Sequence, residues 1–127
     1  MSKNIVNHSS EDLVKSVVYG MLERKAKEIV TIDLRKIPNA VSNFYVICHG
    51  QSNTQVEAIA ESVGIEVDNQ LNDRPIHVEG ADIAEWILLD YVDVVVHVFQ
   101  EKRRRFYNLE DLWADAEMTT IDESLTN

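Results

Sequence analysis

The 127-residue chain reads as a single α/β domain of the α+β kind, with a mixed sheet of about five strands and helices packed on it. Three observations lead there. Apolar residues between positions 13 and 29 recur every three or four residues, the period of a helix with one buried stripe. "VTIDL" (30–34) alternates apolar and polar residues as a half-buried strand does, whereas "NFYVICHG" (43–50) is apolar on both faces and belongs in the middle of a sheet. "EWILLDY" (85–91) and "DVVVHVF" (93–99) lie too close together for anything but an antiparallel hairpin.

The elements follow in order. Residues 1–9 are polar, which reads as a flexible N-terminus. Ser10 is the expected cap of a first helix whose stripe is Leu13, Val14, Val17, Val18, Met21, Leu22 and Ile29. Gly20 interrupts that helix and is expected to weaken it by about 1 kcal/mol relative to Ala. After the strand at 30–34, Pro38-Asn39 marks a loop. Ser52, three residues before Gln55, forms a capping-box pattern, and Val56, Ile59, Ala60, Val63 and Val67 keep helical period behind it. A strand–helix–strand unit then closes at "RPIHV" (74–78), with a right-handed crossover and its two strands parallel. Beyond the hairpin, Asn108 is the expected cap of a short final helix in "NLEDLW". After Trp113 the acidic stretch 114–127 shows no period and reads as a disordered tail. The domain therefore spans 10–113.

Twenty-two acids against 12 bases give a formal net charge of −10. Affinity for nucleic acid rests largely on Lys and Arg displacing counterions, so this balance makes a poor general binder of DNA or RNA and favours a basic protein partner. The one basic cluster, "KRRR" at 102–105, stands between Glu101 and Glu110 and reads as a solvated, partly paired face. No apolar run approaches the roughly 20 residues a bilayer requires, and "MSKNIVNHSS" lacks the pattern of a signal or transit peptide. The single cysteine, Cys48, cannot form an internal disulfide; a reducing cytoplasm fits best.

Candidate chemistry is sparse. His8, His49, His77 and His97 include no pair spaced to put two metal ligands on one helix face. Cys48 sits mid-strand with His49 on the opposite face, so no base is placed to activate it. "GQS" (50–52), between a strand and a helix, has the shape of a phosphate-binding turn. A nucleotidyl-transferring enzyme would also need a carboxylate pair for magnesium on the next strand, and "RPIHVE" has none, so capping is the expected role of Ser52. No catalytic, cofactor-binding or metal-binding residue is assigned. The hairpin is more informative. Trp86, Leu88 and Asp90 share one strand face, and Ile87, Leu89 and Tyr91 the other. An exposed Trp beside acids is the composition of a binding hot spot; the other reading has Trp86 covered by the C-terminal segment.

Five motifs in register carry a resemblance. "DLRKI" (33–37), "NFYVICHGQSNTQVEAIA" (43–60), "VEG" (78–80), "EWILLDYVDVVVHVFQ" (85–100) and "RRFYNLEDLW" (104–113) together resemble the ribosomal silencing factor family, RsfS or Iojap, from about residue 11 to 113. The resemblance implies a nucleotidyltransferase-like fold without that activity. It further implies binding to large-subunit ribosomal protein fourteen and steric blockage of small-subunit joining, which lowers translation when nutrients are scarce. On this reading Trp86, Leu88, Asp90, Tyr91 and Tyr107 grip the ribosomal protein, and Asp93 is left to the turn. Two positions depart from the family's pattern. Val92 stands where the hairpin usually has glycine, and Thr54 where a basic residue is common. A β-branched residue is poor at positive φ, so another turn type or a bulge is expected.

Three functions stand at this point: a non-enzymatic ribosome-binding anti-association factor, a nucleotide-binding or nucleotidyl-transferring enzyme using Gly50–Ser52, and a protein adaptor of the toxin–antitoxin kind using the same hairpin. No membrane or specific DNA partner is expected, and a homodimer of the free protein stays open.

Overall fold

The computed structural model describes residues 8–125. Its elements are α1 (Ser10–Glu23), β1 (Lys27–Asp33), β2 (Phe44–Gly50), α2 (Asn53–Leu71), β3 (His77–Glu79), β4 (Trp86–Asp90), β5 (Val94–Gln100), α3 (Glu101–Tyr107), α4 (Leu109–Leu112) and β6 (Glu117–Thr120). One mixed sheet has the order β3-β4-β5-β2-β1-β6. Only β2 and β5 run parallel, from Phe44 beside Val94 to Gly50 beside Gln100; every other neighbouring pair is antiparallel.

α1 and α2 lie together on one face of this sheet. Their stripes meet Phe44, Val46 and Cys48 of β2, Val94, Val96 and Val98 of β5, and Ile87 and Leu89 of β4 in the main core. The helix starts are fixed locally. Ser9, one residue earlier than expected, caps α1 and forms a reciprocal capping box with Asp12. Ser52 caps α2 as expected, its Oγ accepting from the Gln55 amide at 3.1 Å. His8 is anchored too, its ring 3.0 Å from an Asp73 carboxylate oxygen, so flexibility expected over 1–9 does not extend to His8 and Ser9. The rest of that segment lies outside the described residues.

Three other expectations need correction. The strand at "RPIHV" runs in β2's direction as expected, but it is only the three-residue edge strand β3, separated from β2 by β4 and β5; β2's hydrogen-bonded parallel neighbour is β5. Sequence adjacency suggested the nearer partner, but β4 and β5 carry far more apolar surface and take the central places. The stretch read as a disordered tail contributes β6, which pairs along β1 from Val30 beside Thr120 to Asp33 beside Glu117. Its four residues are all exposed, so backbone pairing rather than side-chain burial holds it, and hydrophobic periodicity could not reveal it. Asn108 stands at the N-cap position of α4 as expected, but it makes no side-chain capping bond there. It sits in the left-handed region at φ 48° and ends α3, donating its amide to the Arg104 carbonyl.

Gly20 is a necessity of packing rather than a flaw in α1. A Cβ there would lie 2.8 Å from the Val63 Cα and 3.0 Å from the Ser62 carbonyl oxygen, both backbone atoms of α2. The Gly20 carbonyl in turn accepts from Ser62 Oγ at 2.7 Å. Gly20→Ala is therefore expected to lower stability by about 1–3 kcal/mol through overpacking, despite a better intrinsic helix propensity. Urea unfolding of the two proteins measures it, and a variant as stable as the parent would show that the helices separate freely.

Candidate functional site

Among the described residues the sheet's second face carries no long helix, only the short α3 and α4. Over β1 and β2 it is closed by a small cluster: Ile32, Leu34, Ile47 and Phe99 are buried under Ile37, Ala40, Leu109, Trp113 and Ala116. Toward β4 the cover thins, and Trp86, Leu88 and Asp90 are half-buried. Strand alternation puts these three on this face, and sheet order sets His97 beside Leu88 and Phe99 beside Trp86.

Trp86 combines both sequence readings. Its ring stacks on Phe99 with centroids 4.8 Å apart and lies equally close to Tyr107. Its indole N–H donates to His97 Nδ1 at 3.1 Å. Tyr107 is 45% exposed and follows Phe106, which is more exposed still. Leu88 and Asp90 continue the face along β4, so four of the five expected residues come together. Tyr91 does not join them. It is 6% exposed and belongs to the core under α1 and α2, following the parity of Ile87 and Leu89. Burial, with Asp73 and Asp68 nearby, raises its hydroxyl pKa and keeps it neutral.

Sequence reasoning missed Tyr45 and His97. The Tyr45 ring packs 4.8 Å from His97 and 5.7 Å from Trp113, and burial and the Asp90 carboxylate raise its pKa. Both were visible as odd-numbered members of apolar strands. Their joining Trp86 depends on the order β4-β5-β2, which no local signal encodes.

The turn beneath Asp90 is the unusual one that Val92 predicts. Val92 holds φ at 76° between the Tyr91 carbonyl and the Asp93 amide, 3.0 Å apart, which makes a γ-turn. Asp90 Oδ1 accepts the Val92 amide at 2.8 Å, and the Asp93 carbonyl accepts from the Asn43 and Phe44 amides. Asp93 thus serves the turn through its backbone.

The other candidates have structural roles. Cys48 is fully buried and its thiol is pushed up to about 12, which leaves it a hydrophobe. At the Gly50–Ser52 turn, Gln55 Oε1 accepts the Gln51 amide at 2.7 Å and Ser52 Oγ accepts the Gln55 amide, so two of the donors at this helix start are bonded within the chain. Glu28, His49 and Glu101 each bring one oxygen or nitrogen within 4.8 Å of the others. A cation is disfavoured there because the Arg105 guanidinium already bridges Glu28 and Glu101 at 2.8 and 3.2 Å. Arg104 also donates to His49 Nδ1 at 3.0 Å, which leaves the proton on Nε2, where a metal would need a lone pair. The basic cluster is mostly paired as expected, except that Arg104 is buried rather than solvated.

Comparison with known proteins decides the family. Residues 7–127 match the family described as "Ribosomal silencing factor during starvation". The chain belongs to the ribosomal silencing factor family. The Ribosomal silencing factor RsfS of Bacillus subtilis is 38% identical over 117 residues, covering 90% of this chain and 95% of the relative. Protein Iojap of the Zea mays chloroplast is 33% identical over 80% of this chain and 43% of its own length. A crystal structure from Chromobacterium violaceum superposes with a TM-score of 0.80 at 30% identity, covering 84% of this chain and 88% of that one. One from Bacillus halodurans gives 0.73 at 35% identity, covering 88% and 98%. The match includes the C-terminal segment, in keeping with the place of β6 in the sheet.

Two outcomes test this geometry. Burial pushes the His97 pKa down to about 4. Above pH 6.5 the ring is neutral folded and unfolded. Between pH 6.5 and 4 the unfolded chain takes up the proton and the folded one does not, so stability falls by about 3 kcal/mol and levels off below pH 4. His97→Gln is expected to flatten that part of the stability–pH curve; an unchanged slope would assign it to other groups. At the turn, Val92→Gly is expected to raise stability by about 1 kcal/mol, because a β-branched residue at positive φ is strained, with denaturation midpoints as the measure.

Proposed function

We propose that this family member binds the large ribosomal subunit through its ribosomal protein fourteen and sterically blocks the small subunit from joining, repressing translation when nutrients are limiting. The observation that carries the reading is the half-covered aromatic face of β4. There Trp86 and Leu88 supply apolar area, Asp90 a carboxylate and Tyr107 a half-exposed ring with a polar tip. Aromatic anchors of this kind dominate protein interfaces, and a carboxylate beside them accepts charge-assisted hydrogen bonds from a partner's Arg or Lys. The net charge of −10 favours a basic protein patch and repels the surrounding RNA. The mechanism is occlusion and involves no bond-making step: the bound domain fills space the small subunit needs. The bonded Gln51 and Gln55 amides weigh against the nucleotide-binding alternative at the Gly50–Ser52 turn.

The protein is expected to co-sediment with isolated large subunits and to be scarce on joined ribosomes; equal occupancy of the two would end the occlusion mechanism. Trp86 is too engaged with Phe99 and His97 for its removal to separate binding from folding. Tyr107→Ala and Leu88→Lys serve better, each expected to weaken subunit binding tenfold or more, about 1.4 kcal/mol, with little change in melting temperature. Added salt is expected to weaken binding further, since opposite charges are screened beyond about 8 Å at physiological ionic strength.

A further inference from the structure

On the opposite side of the sheet from Trp86, a groove of about 560 Å³ runs between α2 and the β3–β4 edge. Its floor is apolar, formed by Ala58, Ala60, Val78, Ala81, Ile87 and Leu89. Its α2 wall carries Glu57 and Glu61, one helical turn apart and both exposed. No hydrogen bond or ion pair engages either carboxylate among the described residues. Like charges at this spacing destabilise a helix, and neither has a cation beside it. The other wall is β3, the terminal strand of the sheet, whose three residues are exposed and whose outer edge pairs with no strand among the described residues. Val78, central in β3, is 45% exposed and turns its side chain into the groove.

An unpaired strand edge, an apolar floor and two unneutralised carboxylates call for one kind of occupant. We propose that the groove receives an extended, basic segment of another protein, which pairs with β3 as an added strand. Alternate apolar side chains of that segment then rest on the exposed Val78, and Lys or Arg heads reach across the groove to Glu57 and Glu61. Backbone pairing supplies affinity in such strand addition, and the alternate side chains supply selectivity. The inference stands apart from the ribosomal reading, because it concerns the other face of the sheet and is tested on the free protein.

The test is titration with a short fluorescein-labelled synthetic peptide that alternates lysine with valine and isoleucine, beside a control carrying glutamate for lysine. Saturable anisotropy with the lysine peptide alone is expected, with amide shifts confined to 54–61 and 76–89. The double substitution Glu57→Gln and Glu61→Gln replaces exposed groups and leaves the fold intact; it is expected to weaken binding about tenfold. Three results would overturn the proposal: no saturation, shifts centred on Trp86 and Tyr107 instead, or unchanged affinity in the double variant. Sedimentation showing the groove filled by a second copy of the chain would overturn it as well.

Discussion

Everything distinctive about this molecule follows from having only two long helices, both on one side, for a sheet that is apolar on both faces. β2 and β5 are buried over nearly their full length, so each face of their parallel pair needs a cover. α1 and α2 close one face completely. The other is closed piecemeal by the 34–40 loop and the segment after β5, and only as far as Tyr45 and His97. What remains is a half-covered aromatic strip along β4, too apolar to be ordinary surface and too exposed to be core.

The cover is held by one buried cation. Arg104, 2% exposed, pairs with Glu110 at 2.6 Å and reaches His49 Nδ1 and the Lys27 carbonyl. Four elements, β1, β2, α3 and α4, converge on that guanidinium. Stranding a charge buried this deeply costs about 3–5 kcal/mol, so its partners fix where the chain leaves the sheet and lead it toward β6. Tyr107 inherits its place beside Trp86 from the same anchoring, since it ends the short helix that Arg104 ties down.

The helices and central strands were legible because burial writes a period into the sequence. The parity of Trp86, Leu88 and Asp90 was legible for the same reason, and parity also argued against grouping Tyr91 with them. The capping residues came within one position. Neighbour order was not legible: nothing local tells β2 to prefer β5 over β3, or tells His97 that Trp86 will lie across from it. β6 was invisible because exposed backbone pairing leaves no hydrophobic trace, and Gly20 looked like a defect because the backbone it must approach is far away in sequence. The unusual turn, by contrast, was announced by a single residue, Val92.

β6 carries a kinetic implication. Pairing Val30 with Thr120 joins two distant parts of the chain with backbone bonds and almost no buried side chain. Loop-closure entropy makes such a contact late to form, and thin packing makes it early to open. Whenever it opens, the polar groups along one side of β1 are bared while the main core stays intact. That thinly packed pairing lies at the edge of the sheet away from β4, so its loss would leave the Trp86 strip's own contacts in place.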